Sequence, residues 1–194
     1  MTDLAVETDA ALELLLHANQ LKRVPRTGWV MRGVVDAESV ADHSFGVAFI
    51  SLVMAELVEP SLDKAKVLTI ALLHDLPESV LGDVPTPAAG HFPPGTKGRA
   101  ELEVLSALLQ SIPNMPNETW RDWWQEFEDG TSAEARLVRD ADRLDMFIQA
   151  YVYEQTTGNR WLEEFWSSPA SASFEFAAAR ALYEALRTLR QQPM

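Results

Sequence analysis

Cysteine is absent from this chain of 194 residues, which excludes disulfide bonds and thiolate metal ligands. Any metal ion must therefore be bound by histidine, aspartate or glutamate, and the chain has only four histidines. Basic residues are also scarce, because 16 Lys and Arg are outnumbered by 29 Asp and Glu, for a net charge of -13. An acidic protein repels polyanions, so we expect no nucleic-acid polymer among its partners.

Long apolar runs are missing as well. No run approaches the ~20 residues that cross a bilayer, and the N-terminus lacks a basic region followed by an apolar segment. These absences predict no membrane partner and a cytoplasmic location. The remaining composition, 47% hydrophobic and 23% charged residues, is typical of a globular protein and fits one domain over residues 1–194.

Helical periodicity dominates the chain, and strand-like alternation of Val, Ile and Thr is rare, so we predict an all-α domain of roughly six to eight helices. A capping box at Ser39-Val40-Ala41-Asp42 is expected to open one of them. Helices are expected over Leu4–Gln20, from Ser39 to near Pro60, from Ser61 or Asp63 to His74, and near 98–111, 117–128, 132–156, 160–167 and 171–191.

The segment between Asp83 and Gly98 contains four prolines and two glycines. Both residue types interrupt helices and strands, so the composition predicts no regular structure there. Irregular segments of this length are uncommon inside compact domains unless they serve a function. We therefore expect a lid or a binding loop.

Two histidines are predicted to point into the protein. His74 continues an apolar helical stripe that begins at Val67, and His43 begins a stripe that runs to Met54. A single inward histidine is typical of a hydrogen-bonded core residue. Two inward histidines beside Asp75, a carboxylate that is costly to bury alone, instead indicate half of a metal site.

Three acids in one core-facing helix are candidates for a further ligand: Asp140, Asp142 and Asp145. The apolar stripe of that helix is predicted to consist of Leu137, Ala141, Leu144 and Ile148. Asp145 lies nearest the centre of the stripe and the other two flank it, so periodicity does not choose among them. Taken alone, the segment is equally typical of a solvated acidic face that pairs with Arg139 and Arg143.

Four segments occur in a characteristic order: the Arg26 connector, Ser39-Val40-Ala41-Asp42-His43-Ser44, His74-Asp75-Leu76-Pro77-Glu78, and Leu81-Gly82-Asp83-Val84-Pro85-Thr86-Pro87, followed by Ala141-Asp142. This order resembles the HD-domain metal-dependent phosphohydrolases. Within that family the segments are similar to the 5′-deoxynucleotidase branch and its HD-domain-containing-protein-2 relatives. The resemblance spans roughly residues 10 to 155.

The resemblance implies a helical HD-domain fold and one divalent cation, bound by His43, His74, Asp75 and Asp142. It selects Asp142 among the three acids and leaves Asp145 as a supporting carboxylate. Two imidazoles and two carboxylates suit Mn, Co, Fe, Ni or Zn, and Mg is a further candidate. Such a set fills only part of an octahedron, so water and substrate oxygen can share the ion.

The resemblance also implies a substrate, a nucleoside 5′-monophosphate in its deoxy form, from which phosphate is released. It places Glu78 and Asp83 in the catalytic pocket, where we expect Asp83 to act as general acid and base and Glu78 to orient water. Arg26 is the matched cation that clamps the phosphate, because a guanidinium group binds two phosphate oxygens at once.

Two further residues are expected at the substrate. In the family's deoxynucleotidases a tryptophan follows the arginine directly and excludes the ribose 2′-hydroxyl, whereas here Thr27-Gly28 precede Trp29. We therefore expect a weaker preference for deoxyribose. Lys97 can close over the phosphate from the loop or lie at the surface. The remaining tryptophans are expected in packing contacts or at the interface of a homodimer.

Two other functions remain open from the sequence. The protein could be an HD phosphohydrolase that acts on another small phosphate ester or on a nucleoside triphosphate. It could also be a metal-stabilised helical dimer that binds nucleotide without turnover. The presence of Glu78, Asp83 and Arg26 favours an enzyme, because a protein that only binds would not require all three.

Overall fold

The computed structural model describes residues 3–110, 116–167 and 173–192, whose regular secondary structure is helical, with no strand among them beyond an isolated bridge between Pro25 and Ser39. This confirms the predicted all-α class. The helices are α1 Asp3–Gln20, α2 Thr27–Val30, α3 Val40–Leu57, α4 Lys64–Leu73, α5 Glu78–Leu81, α6 Thr86–Ala89, α7 Thr96–Gln110, α8 Asn117–Asp129, α9 Ala133–Thr157, α10 Glu163–Ser167 and α11 Ala177–Arg190. Short 3-10 turns cover Leu21–Arg23 and Arg160–Leu162. The predicted helix limits at 111 and 171 lie outside the described residues.

Side-chain caps fix where the two central helices begin. At α3, the Ser39 hydroxyl accepts a hydrogen bond from the Asp42 amide, and the Asp42 carboxylate accepts one from the Ser39 amide. This is the capping box expected from the sequence. Asp63, not Ser61, caps α4 by accepting from the amides of Ala65 and Lys66. The cap on α3 places His43 in the first turn of that helix.

The core lies between α3, α4 and α9. Met54 of α3, Ile70 of α4 and Phe147 of α9 are fully buried in one cluster. The longest helix, α9, also packs against α8, α10 and α11. Because α3, α4 and α9 share this core, the candidate metal ligands that they carry are brought to one end of it.

The prediction that residues between Asp83 and Gly98 have no regular structure is wrong in part. Thr86–Ala89 forms the short helix α6, and α7 begins at Thr96. Proline is tolerated in the first turn of a helix, where its missing amide would have no partner, and Pro87 lies there in α6. The irregular part is therefore shorter than the sequence suggested.

The apolar stripe predicted for α9 is also wrong at one position. Leu137, Ala141 and Leu144 are buried, but Ile148 is 37% exposed. Ile148 lines a surface groove between α3, α9 and α11. One helix among the described residues, α3, is long and apolar enough to cross a membrane by length and composition alone. One side of it packs in the core against α4 and α9.

Candidate metal centre

Two imidazoles and two carboxylates converge where α3, α4 and α9 meet. The Nε2 atom of His43 lies 3.2 Å from Asp142 Oδ1 and 3.6 Å from Asp75 Oδ2. The Nε2 atom of His74 lies 3.2 Å from the same Asp75 oxygen and 3.4 Å from His43 Nε2. The structure thus brings together all four residues that the resemblance implies as ligands.

These separations fit a single divalent cation. Ligand atoms at about 2.1 Å from an ion and at right angles to each other are about 3.0 Å apart. The observed separations of 3.2 to 3.6 Å are close to this value. Three of the four residues, His43, His74 and Asp142, form a group of donors compact enough for one ion, and Asp75 lies outside this group although it contacts both imidazoles. The donor set, nitrogen and carboxylate oxygen without sulfur, suits borderline divalent ions.

Both imidazoles are oriented through their second nitrogen. His74 Nδ1 lies 2.8 Å from the carbonyl oxygen of Ala71, which can only accept a hydrogen bond, so the proton of a neutral His74 is on Nδ1. His43 Nδ1 lies 2.8 Å from Asp145 Oδ2. In both rings Nε2 is therefore directed at the common point. The main chain at His74 is held as well, because Trp124 Nε1 donates to its carbonyl oxygen at 3.0 Å.

The electrostatics of the cluster favour a positive charge at its centre. Burial lowers the pKa of His43, but hydrogen bonds to Asp142 and Asp145 outweigh it and raise the pKa to about 10. Burial alone would raise the pKa of Asp75, yet His74 and Arg26 hold it well below its usual range. The pKa of Asp142 is likewise lowered, because His43 offsets its burial. The acids are thus charged donors for a cation.

The three acids of α9 have three different environments. Asp142 faces His43 Nε2, and Asp145 accepts from the opposite nitrogen of the same ring. Asp140 is buried away from both and accepts hydrogen bonds from the amides of Glu175 and Phe176, just before α11. It also pairs with Arg143 at 3.2 Å. The segment is therefore not a solvated acidic face.

The role of Gly46, one turn after His43 on α3, was not predicted from the sequence. A Cβ atom at this position would lie 2.1 Å from Asp145 Oδ1. Since no side chain fits there, glycine allows α9 to bring Asp145 against the imidazole of His43. The sequence contains no signal for this role, because a glycine inside a helix can have several roles, and the crossing helix that decides among them is not known from the sequence.

Arg26 lies beside the candidate ligands. Its Nη1 donates to Asp75 Oδ2 at 3.1 Å. Burial opposes the charge of the guanidinium, but the surrounding carboxylates of Asp75, Asp142 and Asp83 raise the pKa of Arg26 above its ordinary value. The group is therefore a permanent cation next to the metal cluster, as a phosphate clamp requires.

A cavity of about 510 Å³ opens on one side of the cluster. This volume is within the usual range of small-ligand sites. The predicted residues that line it are Arg26, Trp29, His74, Asp75, Glu78, Asp83, Lys97 and Asp142. The cavity is also lined by three basic residues that were not predicted there from the sequence, Arg32, Arg139 and Arg143. A larger hollow of about 970 Å³ contains none of the predicted site residues, so volume alone does not locate the site.

Glu78, in the first turn of α5, is a buried carboxyl at the wall of this cavity. It is 3% exposed, and among the described residues its Oε2 atom has no hydrogen-bond partner. Burial, followed by the charges of Asp75 and Asp83, raises the pKa of Glu78 to about 9. A buried carboxyl that holds a proton at neutral pH is typical of catalytic acids.

Asp83 is fixed by the residue that follows Arg26. The Thr27 amide donates to Asp83 Oδ2 at 2.7 Å, and the Thr27 hydroxyl donates to the Asp83 carbonyl oxygen at 2.8 Å. Thr27 therefore ties the Arg26 connector to the start of the segment after α5. From the sequence, Thr27 was identified only as part of the Thr27-Gly28 insertion before Trp29.

Trp29 and Lys97 both line the cavity, but each has another contact. Trp29 is 3% exposed, and its ring packs against Tyr153 and Phe165 while Nε1 donates to Glu38 at 2.8 Å. It is therefore a core residue as well as part of the wall. Lys97 forms an ion pair with Glu101 at 2.6 Å in the first turns of α7. This pair leaves its ammonium group partly exposed near the cavity.

The chain is similar to known proteins of one family. The chain is 37% identical over 160 residues to a Bos taurus protein named 5′-deoxynucleotidase HDDC2, covering 82% of this chain and 76% of the relative. A Schizosaccharomyces pombe protein named 5′-deoxynucleotidase hdd1 is 32% identical over 152 residues, covering 76% of this chain and 74% of the relative. A solved structure of a conserved hypothetical protein from Pyrococcus furiosus matches with a TM-score of 0.77 and 37% identity, covering 91% of this chain and 99% of that chain. The sequence profile of the HD domain matches residues 18–177, and the chain therefore belongs to the HD-domain family.

Proposed function

We propose that this protein is a metal-dependent 5′-nucleotidase that releases phosphate from deoxynucleoside 5′-monophosphates. The observation that carries the proposal is the convergence of His43, His74, Asp75 and Asp142 beside Arg26, at a cavity that all of them except His43 line. A metal site and a fixed guanidinium group are the two features that recognition of a phosphate monoester requires. The names of the relatives, 5′-deoxynucleotidase, support the choice of substrate.

His43, His74, Asp75 and Asp142 would hold one divalent cation, and Mn, Co, Fe, Ni and Zn suit this mixed set better than Mg, which prefers oxygen ligands. When bound, such a cation supplies Lewis acidity, which polarises a phosphoryl oxygen and lowers the pKa of water toward roughly 7. Arg26 neutralises and orients the phosphate through charge-assisted hydrogen bonds. Asp75, which binds Nη1 of Arg26, holds the guanidinium group in place for this role.

Glu78 and Asp83 supply the proton transfers in this proposal. The water oxygen attacks phosphorus, and Asp83, held as a hydrogen-bond acceptor by Thr27, takes the water proton. The bond between phosphorus and the 5′-oxygen breaks, and the buried carboxyl of Glu78 protonates that oxygen. Solvent then returns a proton to Glu78 and removes one from Asp83. Both transfers were predicted at Asp83 from the sequence, and the burial of Glu78 is the reason to divide them.

Phosphate release from a panel of esters tests the proposal. The panel contains deoxyribonucleoside and ribonucleoside 5′-monophosphates, 3′-monophosphates, nucleoside triphosphates and a simple aryl phosphate, each with Mn, Co, Mg and Zn. Deoxynucleoside 5′-monophosphates should be hydrolysed with the highest kcat/KM. Fastest turnover of a triphosphate or of another small ester would favour the alternative phosphohydrolase. Absence of hydrolysis with every metal would leave a protein that only binds nucleotides.

We further propose that the protein acts in the cytoplasm as a homodimer on a free nucleotide, without a nucleic-acid or membrane partner. The net charge of -13 supports the absence of those two partners, because it disfavours polyanions and anionic lipid surfaces. A small phosphate ester remains compatible with that charge, since five of the 16 basic residues line the cavity beside the metal cluster.

A further inference from the structure

Helix α3 is apolar on all sides, although only part of it lies in the core. By composition it is apolar enough to span a membrane, yet 39% of its residues are buried. A helix that is hydrophobic all round is normally buried all round. The exposed side of α3 is therefore an apolar surface without a partner among the described residues.

On that side, four large apolar residues follow one another: Phe45, Phe49, Val53 and Leu57, with 42 to 71% of their surfaces exposed. They are spaced four residues apart and form a continuous row. The rings of Phe45 and Phe49 are stacked, with centroids 6.2 Å apart, and form a ridge. Phe45 lies about 200° around the helix axis from His43, so the ridge and the metal ligand are on opposite sides of α3.

Beside the ridge, α3, α9 and α11 form a groove of about 460 Å³ that is lined by apolar side chains alone. Ile148 and Val152 of α9 and Leu182 and Leu189 of α11 extend this surface and are 37 to 47% exposed. With about 150–200 Å² for each fully exposed side chain, ridge and groove together present roughly 700 Å². The largest apolar patch of a typical monomer is about 300–600 Å², and a standard interface buries about 800 Å² per partner.

We propose that this surface joins two copies of the chain, with the ridge of each copy lying in the groove of the other. This names the interface of the homodimer proposed above and rests on that assembly. A two-fold interface uses the same patch on both partners, and this patch contains both complementary shapes. Two chains of net charge -13 repel each other, and a patch without charged lining residues is where that repulsion is weakest.

A membrane fits this surface less well than a second copy of the chain does. Binding to anionic lipid requires free basic side chains around an apolar face. The basic residues near the end of α11 are already paired, Arg187 with Glu184 at 3.5 Å and Arg190 with Glu154 at 2.7 Å.

In the proposed dimer the cavity beside the metal cluster stays open, because the ridge lies on the opposite side of α3 from His43.

Sedimentation velocity at micromolar concentration tests this interface. The wild type should sediment as a dimer of the 21.6 kDa chain. Phe49→Glu buries a carboxylate in the partner's groove, so the dissociation constant should rise by at least about 100-fold and the variant should be monomeric. Leu15→Glu is the matched control, since it adds the same charge at an apolar residue of α1 that is 64% exposed. It should stay dimeric.

Several outcomes overturn the interface: a monomeric wild type, or a Phe49→Glu variant that dimerises as tightly as the wild type. Circular dichroism checks the fold, and Ile148→Glu in the groove replaces Phe49→Glu if that variant does not fold. Phosphate release from deoxyadenosine 5′-monophosphate separates the two proposals. An active wild-type monomer overturns the interface alone, whereas an inactive dimer that depends on Phe49 overturns the enzymatic function alone.

Discussion

At the scale of residues, each of the two ring nitrogens of His43 faces a carboxylate. Asp142 faces Nε2 at 3.2 Å, and Asp145 accepts from Nδ1 at 2.8 Å. A ligand imidazole depends on such a partner for its tautomer and orientation. The two acids therefore differ in role although both contact one ring: Asp142 would bind the cation, and Asp145 would position His43.

Asp145→Ala should weaken divalent metal binding by about 10- to 100-fold, because His43 loses the acceptor that orients it. Asp145→Asn should lose less, since its amide oxygen can still accept from Nδ1. Chelator competition with Mn²⁺ or Co²⁺ measures both affinities. Equal affinity of the alanine variant and the wild type would remove Asp145 from the metal site.

Arg26→Ala should lower kcat/KM for every nucleoside monophosphate by about 10- to 150-fold, because a charge-assisted hydrogen bond to phosphate contributes about 1.5–3 kcal/mol. The size of the effect should not depend on the base or the sugar. Arg23→Ala, an exposed arginine of the same connector, is the control and should change kcat/KM little. Unchanged kinetics of Arg26→Ala on all monophosphates would exclude the clamp.

Glu78 predicts a pH-dependent stability of the metal-free protein. Its pKa is about 9 in the folded protein, above its ordinary value of 4.5, so the folded state binds this proton more tightly than the unfolded state. The stabilisation by protonated Glu78 is complete below about pH 4.5 and declines toward pH 9, by at most ~1.4 kcal/mol per pH unit.

Glu78→Gln cannot lose that proton, so its melting temperature should match the wild type near pH 5 and exceed it increasingly as the pH rises to 8.5. Thermal unfolding followed by circular dichroism in a chelator gives both curves. Glu103→Gln on the exposed side of α7 is the control. Parallel curves for Glu78→Gln and wild type would show that Glu78 ionises normally.

At the scale of elements, the contact between α3 and α9 depends on Gly46. A Cβ atom there would lie 2.1 Å from Asp145 Oδ1, so either the carboxylate or the helices must move. Overpacking of this kind costs about 1–3 kcal/mol. The crossing of the two helices and the orientation of His43 are therefore determined at one position.

Gly46→Ala should lower the melting temperature by several degrees, since about 1 kcal/mol shifts a domain of this size by roughly 2–4 °C. It should also weaken metal binding through Asp145. Gly98→Ala in α7 is the matched control, because its Cβ would meet only the end of the Glu128 side chain at 3.4 Å. Helix propensity should make this control neutral or more stable. A stable Gly46→Ala protein with normal metal affinity would contradict the account.

Local sequence signals predicted the elements where the deciding contacts are local. The capping box at Ser39 and the cap at Asp63 involve residues two or three positions apart, so the starts of α3 and α4 could be predicted. The four candidate ligands could be identified because their order resembles a family. Gly46 could not, because its role depends on a side chain 99 positions away on another helix.

Two predictions, one from composition and one from periodicity, were wrong. Prolines excluded a helix before Gly98, although a proline in the first turn of α6 is compatible with one. Helical periodicity placed Ile148 in the core, because an apolar residue at an exposed groove follows the same spacing as a buried one. Whether a side chain is exposed depends on how the neighbouring helices pack against it, and the sequence of one helix does not show this packing.

At the scale of the whole molecule, the cavity concentrates charge of both signs. Six carboxylates line it, those of Asp75, Glu78, Asp83, Glu101, Glu128 and Asp142, together with five basic side chains. With Glu78 protonated and the other groups ionised, the five negative and five positive charges cancel, and a divalent cation makes the balance positive. The bound metal therefore has an electrostatic role as well as a chemical one, since a phosphate dianion is attracted only to the loaded site.

The most direct test of the central claim measures metal content and hydrolysis together in protein that has been treated with a chelator and reconstituted. The chelated protein should release no phosphate from deoxyadenosine 5′-monophosphate, and one equivalent of Mn²⁺ or Co²⁺ per chain should restore release. Asp142→Ala should neither bind the ion tightly nor recover, whereas Asp122→Ala, an exposed acid of α8, should do both. Full hydrolysis by metal-free protein, or wild-type metal affinity in Asp142→Ala, would contradict the account.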